Sequence, residues 1–196
     1  MAVYTELNKS DIDKILEGYS IGTLENFFPI EEGIENTNYK IKVGEKKYIL
    51  TIFEKRVDQK DLPFFCNLTL KLFQKGFKCP QPIHNNQGEM ISDFKSKKLT
   101  ILTFIEGKSK KNLTPDNCKE IGIETARLHV YTSELNLFRE NSLSISSWKN
   151  LYQSINFKST ENRNLKKIIQ DTLNYLEDNW PQKLPKGIIH ADLFKD

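Results

Sequence analysis

Residues 187–196 read GIIHADLFKD, an apolar run that breaks into a histidine, two carboxylates and a phenylalanine. In physical terms, Ile188 and Ile189 suit a short buried strand, His190 and Asp192 bracket a turn, and Leu193 and Phe194 can anchor the loop by inserting apolar side chains. Such a frame holds the Asp192 carboxylate still at the mouth of a cleft. A fixed carboxylate beside a substrate hydroxyl can take its proton as the oxygen attacks phosphorus, and a base of this kind contributes roughly a hundred- to ten-thousand-fold in rate. A His and an Asp two apart in a turn also fit a local hydrogen-bonded loop with no catalytic duty. The decapeptide by itself leaves both readings open.

Upstream of it the pattern is helical. NRNLKKIIQDTLNYLEDNWP carries Leu165, Ile168, Ile169, Leu173, Leu176 and Trp180 at helical spacing, and SSWKNLYQSI gives a shorter helix before it. A third helix starts with Thr114 as cap and Pro115 at its first position, and Cys118, Ile121, Thr125 and Leu128 form its expected inner stripe. Before residue 108 the period changes to two. LENFFPI, NTNYKIKV and KKYILTIFEK read as strands, with Gly44-Glu45 as a tight hairpin turn between the last two. Tyr39, Ile41 and Val43 fall on one face of the first of these hairpin strands, and Tyr48, Leu50 and Ile52 on one face of its partner. DLPFFCNLTLKLFQKGF is a helix capped by Asp61 and ended by Gly76. A short strand at 89–92 and KKLTILTFIEG complete the sheet, and an amphipathic helix over 10–18, capped by Ser10, precedes it. The amino-terminal half is thus a β-β-β-α-β-β lobe, and the change from strand to polar loop at Phe104 to Gly107 marks its boundary.

Composition narrows the function classes. The 196 residues are 38 % hydrophobic and 11 % aromatic, enough for a real core, and Lys+Arg exceeds Asp+Glu by only three. With both signs interspersed there is no footprint for nucleic acid, and the lysine clusters at 46–47, 95–98 and 108–111 read as solvated loop. Cys66, Cys79 and Cys118 are too few and too scattered for a disulfide framework or a CxxC metal site, and fit buried or half-buried free thiols. No stretch approaches the roughly 20 apolar residues that cross a bilayer, and the amino terminus lacks a leader pattern, so a cytoplasmic protein without membrane partners is expected.

A candidate nucleotide loop lies in the strand-rich half. EEGIENTNYKIKV is strand, turn, strand, and Gly33, Asn36 and Asn38 could lay backbone and side-chain donors over phosphates. A lone glycine in a turn is otherwise just a hairpin.

HADLF resembles the catalytic loop of the kinase superfamily, His-x-Asp with an Asn five residues beyond the Asp, and is close to the HGDLH form of the aminoglycoside phosphotransferase-like branch. Counted from Asp192, that Asn falls one position beyond Asp196, so metal ligands are expected outside these residues and none is assigned within them. MAVYT, EGIENTNY, YILTIFEKRVDQKDLPFF, CPQPI, LTFIEG, ARLH and HADLF, in that order, resemble the homoserine kinases that have the aminoglycoside phosphotransferase fold, over essentially the whole chain.

The resemblance implies an α+β, two-lobed, protein-kinase-like fold. Residues 1–104 would form an antiparallel sheet lobe, 105–107 a hinge, and 108–196 a helical lobe truncated at the catalytic loop. It implies ATP and Mg2+ as cofactors and L-homoserine as the small-molecule partner, with O-phospho-L-homoserine as product. Asp192 would be the base, His190 the residue that props its loop, Gly33, Asn36 and Asn38 the nucleotide loop, and Phe104, Ile105 and Glu106 the strand whose backbone meets adenine. Related kinases carry an ATP lysine where YILTIF places Thr51; Lys55 is the nearest substitute, and the helix after it has no Glu to pair with it. Without the later metal ligands the 196 residues alone are expected to be inactive. Another small-molecule kinase of the same fold, acting on choline, an aminoglycoside or another amino alcohol, and a non-catalytic nucleotide-binding protein remain the alternatives.

Overall fold

The computed structural model describes residues 3–32, 35–54, 57–110, 112–157 and 162–194. Helix α1 (Lys9–Leu16) is capped two residues earlier than expected. Asn8 accepts from the Asp11 N–H at 3.0 Å while the Asp11 carboxylate accepts from the Asn8 N–H at 3.2 Å, a reciprocal pair that satisfies two donors at once. The strands β1 (Leu24–Ile30), β2 (Thr37–Val43) and β3 (Lys46–Ile52), helix α2 (Leu62–Gln74), and strands β4 (Ser92–Phe94) and β5 (Lys97–Thr103) follow in the expected order. They make one antiparallel sheet ordered β1-β2-β3-β5-β4.

The period-two reading places the core correctly. Tyr39, Ile41, Val43, Tyr48, Leu50 and Ile52 are all buried, with Leu99 and Ile101 of β5, and Ile12, Ile15 and Leu16 of α1 join them. The hairpin register follows from its turn. Gly44 adopts φ +57°, which a residue without Cβ does at no steric cost, and Val43 then faces Lys46 at the start of a regular ladder. On the other face, the α2 residue Cys66 meets the Thr100 hydroxyl, and burial pushes its thiol pKa up. Leu62 and Leu72 of α2 are buried as well.

Several local expectations give way to tertiary contacts. Asp61 makes no cap bond to α2; Asp58 instead accepts from the Lys60 N–H and starts a short 3-10 turn, Gln59–Asp61, that leads into the helix. The strand expected at 89–92 lies at Ser92–Phe94, because the turn that feeds β5 contains Lys95 at φ +55° and pairs Phe94 with Lys97. Lys97 is no solvated loop residue. Its ammonium bonds the Glu54 carboxylate, whose side chain is 10 % exposed. The Glu54 carboxylate also accepts from the Thr5 and Thr37 hydroxyls at 2.6 and 2.8 Å, and Thr37 Oγ1 accepts from the Tyr4 and Thr5 N–H groups. This cluster ties the segment before α1 to the sheet. Burial raises the Glu54 carboxyl, but its three side-chain donors outweigh that and hold it below the usual glutamate value.

The chain divides into two compact units, Met1–Leu137 with Ile188–Asp196, and Phe138–Gly187. In the first, helix α3 (Pro115–Thr132) begins as expected with Thr114 and Pro115, but its inner stripe is displaced. Cys118 and Ile121 are exposed, Thr125 and Leu128 are half-buried, and Thr132 alone is buried. The anchorage lies at the far end, where Lys75 donates to the Tyr131 carbonyl and pairs with Glu134, and the Phe77 and Tyr131 rings meet edge to face. Spacing shows which side is apolar, not which stretch finds a neighbour.

The second unit holds α4 (Ile145–Ser154) and α5 (Asn162–Asn179). Trp148 stands edge-on to Trp180 with ring centroids 5.2 Å apart, and Lys149 approaches Glu177 at 3.8 Å. None of the described residues of either helix is buried. Among the described residues no helix is long and apolar enough to cross a membrane.

Candidate active site

The open end of the β2–β3 hairpin gathers the first set of candidate residues. Asn38 lies on the face of β2 opposite Thr37 and Tyr39, and Asn36 stands just before the strand. Asn36 Oδ1 accepts from the backbone N–H of Glu54 at 3.3 Å, and Asn38 Oδ1 accepts from the Thr51 hydroxyl at 2.8 Å. Both amide oxygens are thereby used within the fold. Gly33 and Lys55, the other two candidates here, lie outside the described residues.

Thr51 is the residue that sequence reasoning passed over. It is 8 % exposed and stands directly across the ladder from Asn38. The signal was available, because Asn38 and Thr51 are equidistant from a two-residue turn at Gly44-Glu45, and that turn fixes the register.

At the other end of the same face lies the extended segment 104–107, just after β5. The Phe104 N–H donates to the Lys47 carbonyl at 3.2 Å, and Glu106 pairs with Lys47 at 2.6 Å. Lys40 of β2 places its ammonium 5.5 Å from the Phe104 ring centroid and 5.9 Å from that of Phe28, a separation at which the ring quadrupole attracts a cation. Among the described residues the backbone groups of Ile105 and Glu106 have no backbone partner. Extended backbone with open donors and acceptors suits the hydrogen-bonding edge of a planar base.

The segment 188–194 departs from the sequence reading in its packing. Ile188 and Ile189 form no strand, since no described strand pairs with them, and Ile189, Leu193 and Phe194 are exposed at 59, 55 and 78 %. The turn itself is present. The Asp192 N–H donates to His190 Nδ1 at 3.3 Å, and Ala191 between them has φ +64°. A side chain with Cβ in the left-handed region costs roughly 1–2 kcal/mol. Such a conformation re-aims the backbone sharply, so that the histidine supports the residue two positions on. Among the described residues no hydrogen bond or ion pair joins His190 or Asp192 to the Asn36–Asn38 set.

Chemically, one end of the sheet face presents side-chain amides and the other presents free backbone groups beside an aromatic ring. These fit the phosphates and the base of a nucleotide. For a divalent ion the fit is absent: among the described residues no three His, Cys, Asp or Glu side chains come together as ligands.

Comparison with known proteins agrees with this chemistry. Residues 27–196 match the phosphotransferase enzyme family. A homoserine kinase of Bartonella tribocorum is 43 % identical over 199 residues, covering 100 % of this chain and 62 % of its own length. One of Xanthobacter autotrophicus is 39 % identical, again over the whole chain and 61 % of its own length. This chain therefore spans about three fifths of the length of those curated relatives. Among solved structures, a microcompartment-associated aminopropanol kinase superposes with a TM-score of 0.71 at 17 % identity, covering 94 % of this chain and 62 % of that one. A spectinomycin phosphotransferase in complex with ADP and spectinomycin superposes with a TM-score of 0.65 at 15 % identity, covering 97 % of this chain and 64 % of that one. At such identities these structures establish the fold, an α+β aminoglycoside phosphotransferase-like kinase fold that is shorter here than in its neighbours. With the family match running from Phe27 through the HADLF turn, the chain belongs to the phosphotransferase enzyme family.

Proposed function

We propose that this chain carries the nucleotide lobe and catalytic loop of an ATP-dependent homoserine kinase, which makes O-phospho-L-homoserine in threonine biosynthesis. The observation that carries the acceptor is the 43 % identity to a protein named homoserine kinase across the whole chain. Residues 1–104 form the nucleotide lobe, 105–107 the hinge, and the remainder the acceptor lobe, within a cytoplasmic enzyme. Bound ATP supplies the phosphoryl group. Asn36 and Asn38 orient its phosphates, and the backbone of Phe104, Ile105 and Glu106 meets the base.

Asp192 accepts the proton of the homoserine hydroxyl as that oxygen attacks. Its loop is held for this by the bond to His190 and by the left-handed Ala191. Gly33 and Lys55 belong to the nucleotide set on the sequence resemblance alone. No metal-ligand cluster stands among the described residues, so no step is assigned to magnesium. The 196 residues alone should accordingly show no homoserine-dependent ATP turnover.

The test is a coupled ADP assay on this chain and on a version extended to the relatives' length, with L-homoserine, choline and 1-amino-2-propanol as acceptors. Turnover confined to homoserine in the extended protein, and a loss of at least about a hundredfold in its Asp192→Asn variant, is expected. Preference for another amino alcohol would replace the acceptor. Clear turnover by the 196 residues alone would remove the claim that they are inactive.

A further inference from the structure

The hydrogen bonds around Asn36 and Asn38 determine which way each amide faces. A backbone N–H can only donate, so the contact from the Glu54 N–H at 3.3 Å makes Oδ1 the inward atom of Asn36 and turns its NH2 away. At Asn38 the same question is decided by Thr51. The Thr51 hydroxyl is buried, and Asn38 Oδ1, at 2.8 Å, is the acceptor it finds among the described residues. With the amide flipped, its N–H would donate to Thr51 Oγ1 and the hydroxyl hydrogen would lose the acceptor it has here; an unsatisfied buried donor is costly.

Two amide groups thus present NH2 outward, Asn38 on β2 and Asn36 two residues earlier, just ahead of the strand. Neither amide nitrogen has an acceptor among the described residues. Of the cations on this face, Lys40 is held toward Phe28 and Phe104, Lys42 pairs with Glu25 and Lys47 pairs with Glu106. Donor-only, uncharged groups beside one another suit the oxygens of a polyphosphate and disfavour a cation.

We propose that Thr51 is a positioning residue for phosphate recognition: by donating to Asn38 Oδ1 it locks the Asn38 amide with its NH2 facing the phosphoryl oxygens. The site then binds polyphosphate through oriented neutral donors at the strand position where related kinases carry a lysine. This rests on the nucleotide reading above, but not on the identity of the acceptor.

The experiment titrates inorganic triphosphate into the 196-residue chain by calorimetry, with 15N side-chain amide shifts recorded alongside. Thr51→Val keeps the shape and burial of the side chain and removes the hydroxyl. It should weaken triphosphate binding about tenfold, in line with a lost hydrogen bond to a charged acceptor, and move the Asn38 NH2 resonances. Thr51→Ser should restore binding to within about twofold, because the donor returns. Asn38→Asp, which replaces donors with a charge of the wrong sign, should abolish it.

Thr100→Val is the control for general damage. It removes another buried hydroxyl, one that bonds the Met90 carbonyl at 2.8 Å, and should lower stability while leaving triphosphate binding unchanged. Absence of triphosphate binding in the unsubstituted chain overturns the proposal, and so does equal weakening by Thr51→Val and Thr100→Val, or no rescue by serine. Thr51-dependent triphosphate binding in a protein whose extended form ignores homoserine would leave this inference standing and defeat the acceptor assignment instead.

Discussion

The sheet and the Phe138–Gly187 unit both carry apolar stripes, and among the described residues only the sheet has an interior. Ile12, Ile41, Leu50, Ile52 and Ile101 are fully buried between α1 and the sheet, whereas Leu165, Ile168 and Tyr175 of α5 are 48, 61 and 64 % exposed. A sheet face covered by one helix closes on itself. Two helices side by side leave most of each stripe open, and about fifty residues cannot bury enough apolar surface to offset the entropy of ordering them. An amphipathic stripe is a requirement for a partner, and this pair of helices does not supply that partner from within.

The contrast breaks most visibly at its strongest point. Ile52→Ala should cost about 2–5 kcal/mol of unfolding free energy in denaturant titrations, because it opens a cavity where nothing can relax inward. Leu165→Ala in α5 should cost no more than about 0.5 kcal/mol in the same titration, the usual figure for an exposed position. Equal costs would mean that α5 is covered after all.

A second test probes what fastens the sheet to the segment before it. Glu54→Gln weakens the Lys97 ion pair and keeps the Thr5 and Thr37 partners, with an expected loss of about 1.5–3 kcal/mol at pH 7. The pH dependence has a definite sign. The folded Glu54 carboxyl lies below its ordinary value of 4.5, so its contribution is complete above pH 4.5 and is lost as pH falls through the lowered folded value. Thermal melts of the native protein and the Glu54→Gln variant should converge over that acid range. Parallel melting curves down to the lowest pH would show that Glu54 is not the group responsible.

Smaller effects sharpen the picture of α3, a helix well capped at one end and anchored at the other. Thr114→Ala removes the bond to the Asn117 N–H and should cost about 1 kcal/mol or less. Its signature is faster amide exchange in the first turn of α3, with the turn near Thr132 unchanged. If both ends loosen together, the helix responds as one unit and the contacts of Tyr131 are not an independent anchor.

Short-range chemistry explains why so much of the fold was legible. The hairpin strands were readable because the side-chain period is two, and every residue assigned inward from Tyr39 to Ile52 is buried. The HADLF turn was readable as a turn, and its His–Asp bond is present. What was misjudged depended on neighbours: Ile188 and Ile189 have no strand beside them, Phe194 inserts into nothing among the described residues, and Cys118 was expected to be sheltered but is exposed. Lys97, read as one of a solvated run, is drawn to a carboxylate that lies 43 positions away in the chain.

By itself the sequence determined the element order, the hairpin register, the inward face of each hairpin strand and the residues of the HADLF turn, since these depend on backbone preferences and spacing over a few residues. Only the tertiary structure decided that Glu54 is held by Thr5, Thr37 and Lys97, that α3 is anchored at its last turn, and that Thr51 donates to Asn38 Oδ1. Burial and hydrogen-bond direction are properties of surroundings, and a side chain's surroundings come from parts of the chain that local pattern does not connect.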